Sequence, residues 1–373
     1  MSFSNKTKKI KRILYIGAFN LLDFNASALR AIHNAKCFEE LGLETIICGY
    51  SNNDFFQKEY SNSISLVNFK RTNGFKDFYR YSTNIKHLLG LIKGCDAVIC
   101  YNYPSIASLK MRRYCKKKNI YFLCDCTEWY SPKDKNLVIR FIKSIDSFLR
   151  MRFINKKNDG LIVISKRLFS YYDSAFRKTI VVPPLNASEK TIPVKNNNND
   201  MLSFTYCGMT DNDKDDLNLI SKVFDDVALK YKNVLLTIIG TKKEDLKYKP
   251  VSKNIVFLGY LPHDEALKVL SKSNCTILIR ENNRRNDYGF PTKFSESLSL
   301  GIPIISNDFS DIKDFISKNG FVIDKNNIAN DIIRIIQNGS IKGIKLIDNL
   351  LSYKYYIDKF SAFFSIIGAE NGK

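Results

Sequence analysis

An α/β fold of two successive parallel-sheet domains is what this sequence predicts, and three observations predict it. Short apolar strands alternate with amphipathic helical stretches along most of the 373 residues, the pattern of parallel αβ units. The alternation pauses at Val181–Pro184 and at the polar stretch Lys195–Asp200, then starts again with a new strand. A chain of this length also exceeds one ordinary hydrophobic core and fits two.

In the first half, Arg12–Gly17 follows a basic tail and reads as a strand closing on a glycine turn. Ala26–Leu41 has helical apolar periodicity closed by Gly42, and Thr45–Cys48 is the next strand. Asp96–Tyr101, Tyr121–Cys124 and Gly160–Ile164 follow as strands, separated by basic amphipathic stretches such as Ile106–Lys118. The second half repeats the scheme. Leu202–Cys207, Val234–Ile239, Ile255–Leu258, Cys275–Ile279 and Ile302–Ser306 read as strands, and Leu217–Lys230, Asp264–Ser271 and Thr292–Ser299 as helices. Two such layers in series set their strand ends on either side of a crevice, where open α/β sheets take ligands.

Composition narrows the classes. Hydrophobic residues make up 45% of the chain, enough for two cores. The nine cysteines sit mostly in apolar runs such as Ala97–Cys100 and Asn274–Ile279, where a thiol behaves as a small hydrophobe. Cys124 and Cys126 are separated by one residue in a strand, and there are only three histidines to help ligate anything. A disulfide framework and a structural metal are therefore disfavoured, and a reducing compartment is expected. Residues 1–12 are polar and basic, and the apolar run Ile13–Phe19 lacks a cleavage-like site. No apolar stretch approaches the length that spans a bilayer. A cytoplasmic protein is expected.

The net charge of +21 is unevenly placed: residues 1–190 hold 33 Lys+Arg against 15 Asp+Glu, and residues 191–373 hold 25 against 22. A basic first half attracts a polyanion. Nucleic-acid-binding motifs are absent, so an anionic membrane surface or a phosphate-bearing acceptor is the better reading. A Lys-rich solvated surface is the plain alternative.

Two segments carry chemistry in the second half. Gly208 follows a strand, where a glycine lets backbone amides approach an anion, and Lys214 lies six residues on. Arg280 stands directly after a strand, at the carboxyl edge of the sheet. Gly289, Phe290 and Pro291 then turn, and Thr292 reads as the N-cap of a helix beginning at Lys293, with Glu296 in its first turn. A diphosphate fits Arg280, Lys214, Lys293 and the helix amides, with Glu296 accepting from a ribose hydroxyl. As a structural alternative, Glu296 caps its own helix and Lys293 is solvated.

From these residues outward the sequence resembles retaining glycosyltransferases of the GT-B fold. The resemblance is to family 4 and its branch for bacterial capsular, O-antigen and related surface polysaccharides. It covers nearly the whole chain and rests on Asp159–Ser165, Val181–Pro184, the Gly208–Lys214 loop, Ile255–Tyr260, Gly289–Glu296 and Gly301–Ile305. It implies two Rossmann-like domains facing a cleft: acceptor-binding at 1–190, nucleotide-sugar-binding at 191–350, and a C-terminal helix at 351–373 crossing back. Gly208 and Lys214 match the donor-phosphate loop, Arg280 and Lys293 match charged donor-site positions, and Glu296 matches the second acid of a two-glutamate motif. Tyr288, beside Asp287, occupies the first-acid position; Met209 and Asp215 stand where many relatives have arginine and glycine. The implied donor is a UDP- or GDP-linked sugar, with no tightly bound cofactor. No Asp-x-Asp follows a strand, so no essential metal is expected. Lys214 and Arg280 are the expected catalytic cations.

In the first half, Gly17 and Asn25 border the first strand-to-helix loop, which in the family lies near donor and acceptor. Asp125-Cys126-Thr127-Glu128-Trp129 follows another strand and resembles the Asp-x-x-Glu-Trp segment of the same branch. Exposed acids beside the chain's single Trp suit a sugar, so Asp125, Glu128 and Trp129 are assigned to the acceptor, with Glu128 in acceptor contact or proton handling. Trp129 as core packing is the alternative. None of His33, His87 and His263 is placed as a catalytic base. The expected acceptor is lipid-linked, at the cytoplasmic face of the membrane, without nucleic acid. A nucleotide-sugar epimerase of the same fold and a non-enzymatic basic binding module remain the competing classes. A hydride-transferring enzyme is disfavoured, because no Gly-x-Gly-x-x-Gly follows the first strand.

Overall fold

Every residue of Arg12–Gly17 after Arg12 is buried, and this run forms strand β1 of a computed structural model. Residues 9–70, 85–129, 136–173, 178–187, 201–208, 214–316, 319–341 and 350–369 are described. The linker expected at Lys195–Asp200, the 190/191 boundary, most of the basic tail and loop residues Met209 and Thr210 lie outside the described residues. The chain divides into two compact units, Met1–Leu185 with Tyr353–Lys373, and Asn186–Ser352.

In the first unit β1 is flanked by β2 (Glu44–Ser51) and β5 (Ala97–Tyr101), both parallel to it. β4 (Ile64–Lys70) and the edge strand β3 (Phe56–Glu59) continue the sheet beyond β2. β6 (Tyr121–Cys126), β7 (Gly160–Val163) and β8 (Thr179–Val181) continue it beyond β5. β3 runs antiparallel to β4, an edge that the all-parallel expectation lacked. β6 is buried end to end and β5 up to its last residue, as parallel strands covered on both faces must be. Helix Ala26–Glu40 is capped by Asn25, whose side chain accepts from the Ala28 amide. Helix Ile357–Ala369 belongs to this unit. Its Phe360 and Phe364 meet Phe38 edge-on at 4.9 and 5.2 Å. Gly160 makes room for Phe363 and Ile367 from the same helix, because a Cβ there would lie 2.8 Å from each.

The second unit centres on β9 (Leu202–Cys207). β10 (Val234–Ile239) and β11 (Ile255–Gly259) lie on one side, and β12 (Cys275–Leu278), β13 (Ile304–Asn307) and β14 (Gly320–Ile323) on the other. All its pairs are parallel. The chain winds outward from β9 through β10 to β11, then returns to place β12 against the other side of β9. That reversal is a topological switch point, where the loops leaving the two strands diverge and leave space for a ligand.

Candidate functional site

The carboxyl ends of β9 and β12 at this switch point carry Tyr206, Cys207 and Gly208 on one side and Arg280 on the other. Arg280 is held at three places. Its amide donates to Asn307 Oδ1 at 2.8 Å and its carbonyl accepts from Asn307 Nδ2 at 3.0 Å. Its guanidinium lies over the Phe309 ring, 5.3 Å from the centroid. Its Nε donates to Asp215 Oδ1 at 2.6 Å. Backbone pairing of Asp215 with Arg280 fixes the register of that ion pair.

Lys293 completes the cluster. Its ammonium donates to Asp215 Oδ2 and, at 3.1 Å, to the Tyr206 hydroxyl, and lies 4.5 Å from the Tyr206 ring centroid. The Tyr206 hydroxyl in turn donates to Asp215 at 2.9 Å. Burial acts to raise the Asp215 pKa, but Lys293 and then Arg280 outweigh it and hold the carboxyl well below the usual carboxylate range. Burial, with Asp215 beside it, pushes the Tyr206 phenol far up, so it stays a neutral donor. Gly208 is expected to lend its amide to an anion, and here the structure differs. That amide donates to the Ile239 carbonyl at 2.8 Å, and the Gly208 carbonyl accepts from Thr241 Oγ1 at 3.0 Å. The glycine serves by leaving space: a Cβ there would collide with the Lys293 ammonium.

The helix after Pro291 begins at Thr292 rather than Lys293. Its N-cap is Pro291, with no side-chain capping bond, so neither Thr292 as cap nor Glu296 as partner in a capping box holds. A proline before the first turn cannot supply a side-chain acceptor; its carbonyl accepts from the Phe294 amide at 3.2 Å. Glu296 is half-buried one turn in. Burial raises its pKa, against His263 and Lys293, which lower it. Cys207 is pushed up to about 11 by burial and by Glu296, so it is a thiol at neutral pH. Lys214 is half-buried next to Asp215, and its carbonyl is pinned by Asn286 Nδ2 at 3.2 Å. Asn286 sits in the short helix Arg284–Tyr288, which also carries Asp287 and Tyr288, both half-buried.

In the first unit the acids separate. β6 runs two residues further than its apolar run suggested, to Cys126, and this draws Asp125 into the sheet. Asp125 is fully buried, so the expectation of an exposed acid there is corrected. Its carboxylate accepts from Arg30 Nε and Nη2, each at 2.8 Å, and from the Tyr15 hydroxyl. Arg30 also donates to the carbonyls of Val182 and Pro183 at 2.8 and 3.2 Å. This pair ties β6, helix Ala26–Glu40 and the segment after β8 together. Glu128 and Trp129 remain half-buried past the strand end. Trp129 meets the Tyr171 ring edge-on at 4.6 Å. Asn25 is exposed, but its side-chain oxygen is engaged as the helix cap. Gly17 makes room for Phe19 and Tyr101, whose atoms would lie 2.5 and 2.9 Å from a Cβ there.

The structure thus brings Gly208, Lys214, Arg280, Thr292, Lys293 and Glu296 into one unit, and Gly17, Asn25, Asp125, Glu128 and Trp129 into the other. Sequence reasoning missed Tyr206 and Asp215 as members of the cluster. The signal for Asp215 was an acid in a loop otherwise read as phosphate-binding. Two cations sharing one carboxylate leave one net positive charge beside the start of a helix that has no side-chain cap, an arrangement suited to an anion. Among the described residues no group of three or more His, Cys, Asp or Glu side chains is placed to share a metal ion.

Residues 202–338 match the family described as glycosyl transferases group 1. No curated protein sequence matches the chain. Solved structures match it over nearly its whole length. The sucrose-phosphate synthase of Thermosynechococcus elongatus is 13% identical, with 96% of this chain and 99% of that one covered and a TM-score of 0.73. The Anabaena protein HepE in complex with UDP and glucose is 11% identical, with 95% and 99% covered and a TM-score of 0.67. The pneumococcal O-GlcNAc transferase GtfA in complex with UDP and GlcNAc is 10% identical, with 97% and 100% covered and a TM-score of 0.65. These likenesses establish the fold: α/β, with two Rossmann-like parallel-sheet domains of GT-B type.

Proposed function

We propose that the chain is a glycosyltransferase that moves a sugar from a nucleoside-diphosphate sugar to a saccharide acceptor, with retention of anomeric configuration. The observation that carries this reading is the Arg280–Asp215–Lys293 cluster at the β9/β12 switch point, inside the segment that matches glycosyl transferases group 1. Arg280, Lys293 and Lys214 neutralise the diphosphate, Glu296 accepts from a ribose hydroxyl, and Thr292 opens the helix whose amides face the phosphate. The donor is UDP- or GDP-linked, with UDP favoured by the uridine nucleotide in the HepE and GtfA complexes.

In the transfer, the bond from the sugar's anomeric carbon to the phosphate oxygen breaks and a bond to the acceptor hydroxyl forms on the same face. The acceptor proton passes to the departing phosphate oxygen. The protein's contribution is to orient both partners and to offset charge that grows on the leaving diphosphate. Glu128 and Trp129 are the acceptor contacts. The acceptor is a lipid-linked saccharide of surface polysaccharide assembly, met at an anionic membrane face, in keeping with the excess of basic residues in the first half.

Thermal denaturation with uridine and guanosine mono- and diphosphates tests the donor half of this reading. A nucleoside diphosphate should raise the melting temperature more than its monophosphate does, and Arg280→Ala should remove the difference. No stabilisation by either diphosphate, or an undiminished effect in Arg280→Ala, would overturn it.

A further inference from the structure

The helix Leu137–Leu149 in the first unit leaves a broad apolar side in solvent. Ile139, Ile142 and Asp146 are half-buried on the side that faces the protein. Asp146 accepts from the Ser105 amide at 2.7 Å, capping the neighbouring helix Ser105–Lys117, and Ser147 is buried. Arg150, just past its end, is buried and donates to the carbonyls of Asn102 and Glu128 at 3.0 and 3.4 Å. Its apolar side faces solvent. Leu137, Val138 and Phe141 are about two-thirds exposed, and Phe148 is half exposed. Ile145 and Leu149 are exposed as well, and Phe153 follows after the helix end. At about 100° per residue, Leu137, Phe141, Ile145 and Phe148 fall within roughly a quarter of the helix circumference. A soluble surface helix turns such a stripe inward, and a contiguous apolar patch of this kind marks an interaction surface.

Charge decides what covers it. Arg140, Lys143 and Arg152 are exposed on the same segment, and the Arg152 guanidinium lies over the Phe148 ring at 5.2 Å. The helix that Asp146 caps exposes Lys110, Arg113, Lys116 and Lys117, and Lys118 follows it. A second copy of this chain would bring the same cations face to face, in a protein of net charge +21. An anionic bilayer satisfies both features at once, with aromatic and aliphatic side chains entering the headgroup boundary and Lys and Arg on anionic headgroups.

We infer that the helix Leu137–Leu149 is a membrane-docking element that lies in the surface of an anionic bilayer, Phe141 and Phe148 inserted and its basic neighbours on the headgroups. The inference rests on the reading of the acceptor as membrane-held, and it locates the contact that presents the protein to it.

Co-sedimentation of the full chain with vesicles tests it. Vesicles of equal parts phosphatidylcholine and phosphatidylglycerol should bind the protein, and vesicles of phosphatidylcholine alone should bind it far less. Phe141→Ser with Phe148→Ser should lower partitioning at least about tenfold, as loss of two inserted aromatics requires, while the melting temperature changes little because Phe141 is two-thirds and Phe148 half exposed. Leu229→Ser, at an exposed leucine of the second unit, should bind like the parent. Equal binding by the Phe double variant, or none by the parent, overturns the proposal. So does a self-associated species that the double variant dissociates, which would make this face an interface between copies. Stabilisation by UDP, read on the same samples, reports on the second unit, so failure of the donor reading registers separately from failure of docking.

Discussion

The Asp215 carboxylate and the Arg280 guanidinium meet at 2.6 Å with only 5% and 7% of their side chains exposed, and Lys293 closes on the other carboxylate oxygen. On the proposed reading, Asp215 therefore competes with a donor phosphate for these two cations. Breaking a buried pair by removing one partner costs about 3–5 kcal/mol, since the remaining charge is left without compensation. Asp215→Asn should lower the melting temperature of the free protein, and UDP should restore more of it than it adds to the parent. The check is a pair of melting curves with and without UDP. An increment in the variant no larger than the parent's would show that Asp215 does not compete with the anion.

Gly208 and Lys293 are related by space alone, since a Cβ at position 208 collides with the ammonium. The ammonium is the far end of a flexible side chain, so Gly208→Ala should fold normally while turning Lys293 away from Asp215. Loss of one charge-assisted hydrogen bond to the donor phosphate corresponds to about 1.5–3 kcal/mol, or roughly 10- to 150-fold in donor affinity. Calorimetry with UDP measures it. Unchanged affinity would remove Lys293 from the donor site.

How much of this was legible in the sequence follows from how each feature is encoded. The central strands β1, β9 and β10 are apolar runs ending at glycine, and their bounds read directly. The β3–β4 edge was invisible because Gln57, Lys58 and Glu59 lack a buried face, and β8 and β14 are only three and four residues long. Arg280 was legible because a cation directly after a strand has one place to be. Its partner Asp215 lies 65 residues away in sequence, and only the pairing of β9 with β12 brings them together. Asp125 and Glu128 looked alike as acids in one segment. Two extra residues of β6 divide them, one into the core and one past the strand end.

Asp125 and Arg30 should behave as a structural pair. Both side chains are almost wholly buried, and Arg30 also satisfies two carbonyls. Asp125→Ala should destabilise the first unit by about 3–5 kcal/mol, leaving UDP stabilisation of the second unit intact where the protein remains folded. Chemical denaturation with UDP titration separates the two effects. A stable Asp125→Ala protein defective only in acceptor use would restore the acceptor assignment.

Glu296 should show the reverse balance. Burial raises its pKa above the ordinary carboxyl value, so the unfolded chain ionises more readily and the carboxylate lowers stability at neutral pH. Glu296→Ala should therefore melt no lower than the parent near pH 7. If the carboxylate accepts from a ribose hydroxyl, the same change weakens nucleotide binding by roughly 10- to 150-fold. A variant with lowered melting temperature and normal UDP affinity would make Glu296 a structural residue only.

His33 supplies a pH test of the first unit. Its Nδ1–H donates to the Leu185 carbonyl at 2.6 Å, and burial lowers its pKa to about 4, against that hydrogen bond, which raises it. An unfolded histidine takes up its proton near pH 6.5, while the folded one stays neutral until about pH 4. Between those values the unfolded state binds more protons, so this residue makes stability fall as pH falls. The slope approaches about 1.4 kcal/mol per pH unit, and it vanishes above the unfolded pKa. His33→Gln retains an amide donor and does not titrate. Urea midpoints measured from pH 7 to pH 4 should fall further for the parent than for the variant, as only the parent loses this contribution. A constant difference across the window would mean that His33 does not stay neutral in the fold.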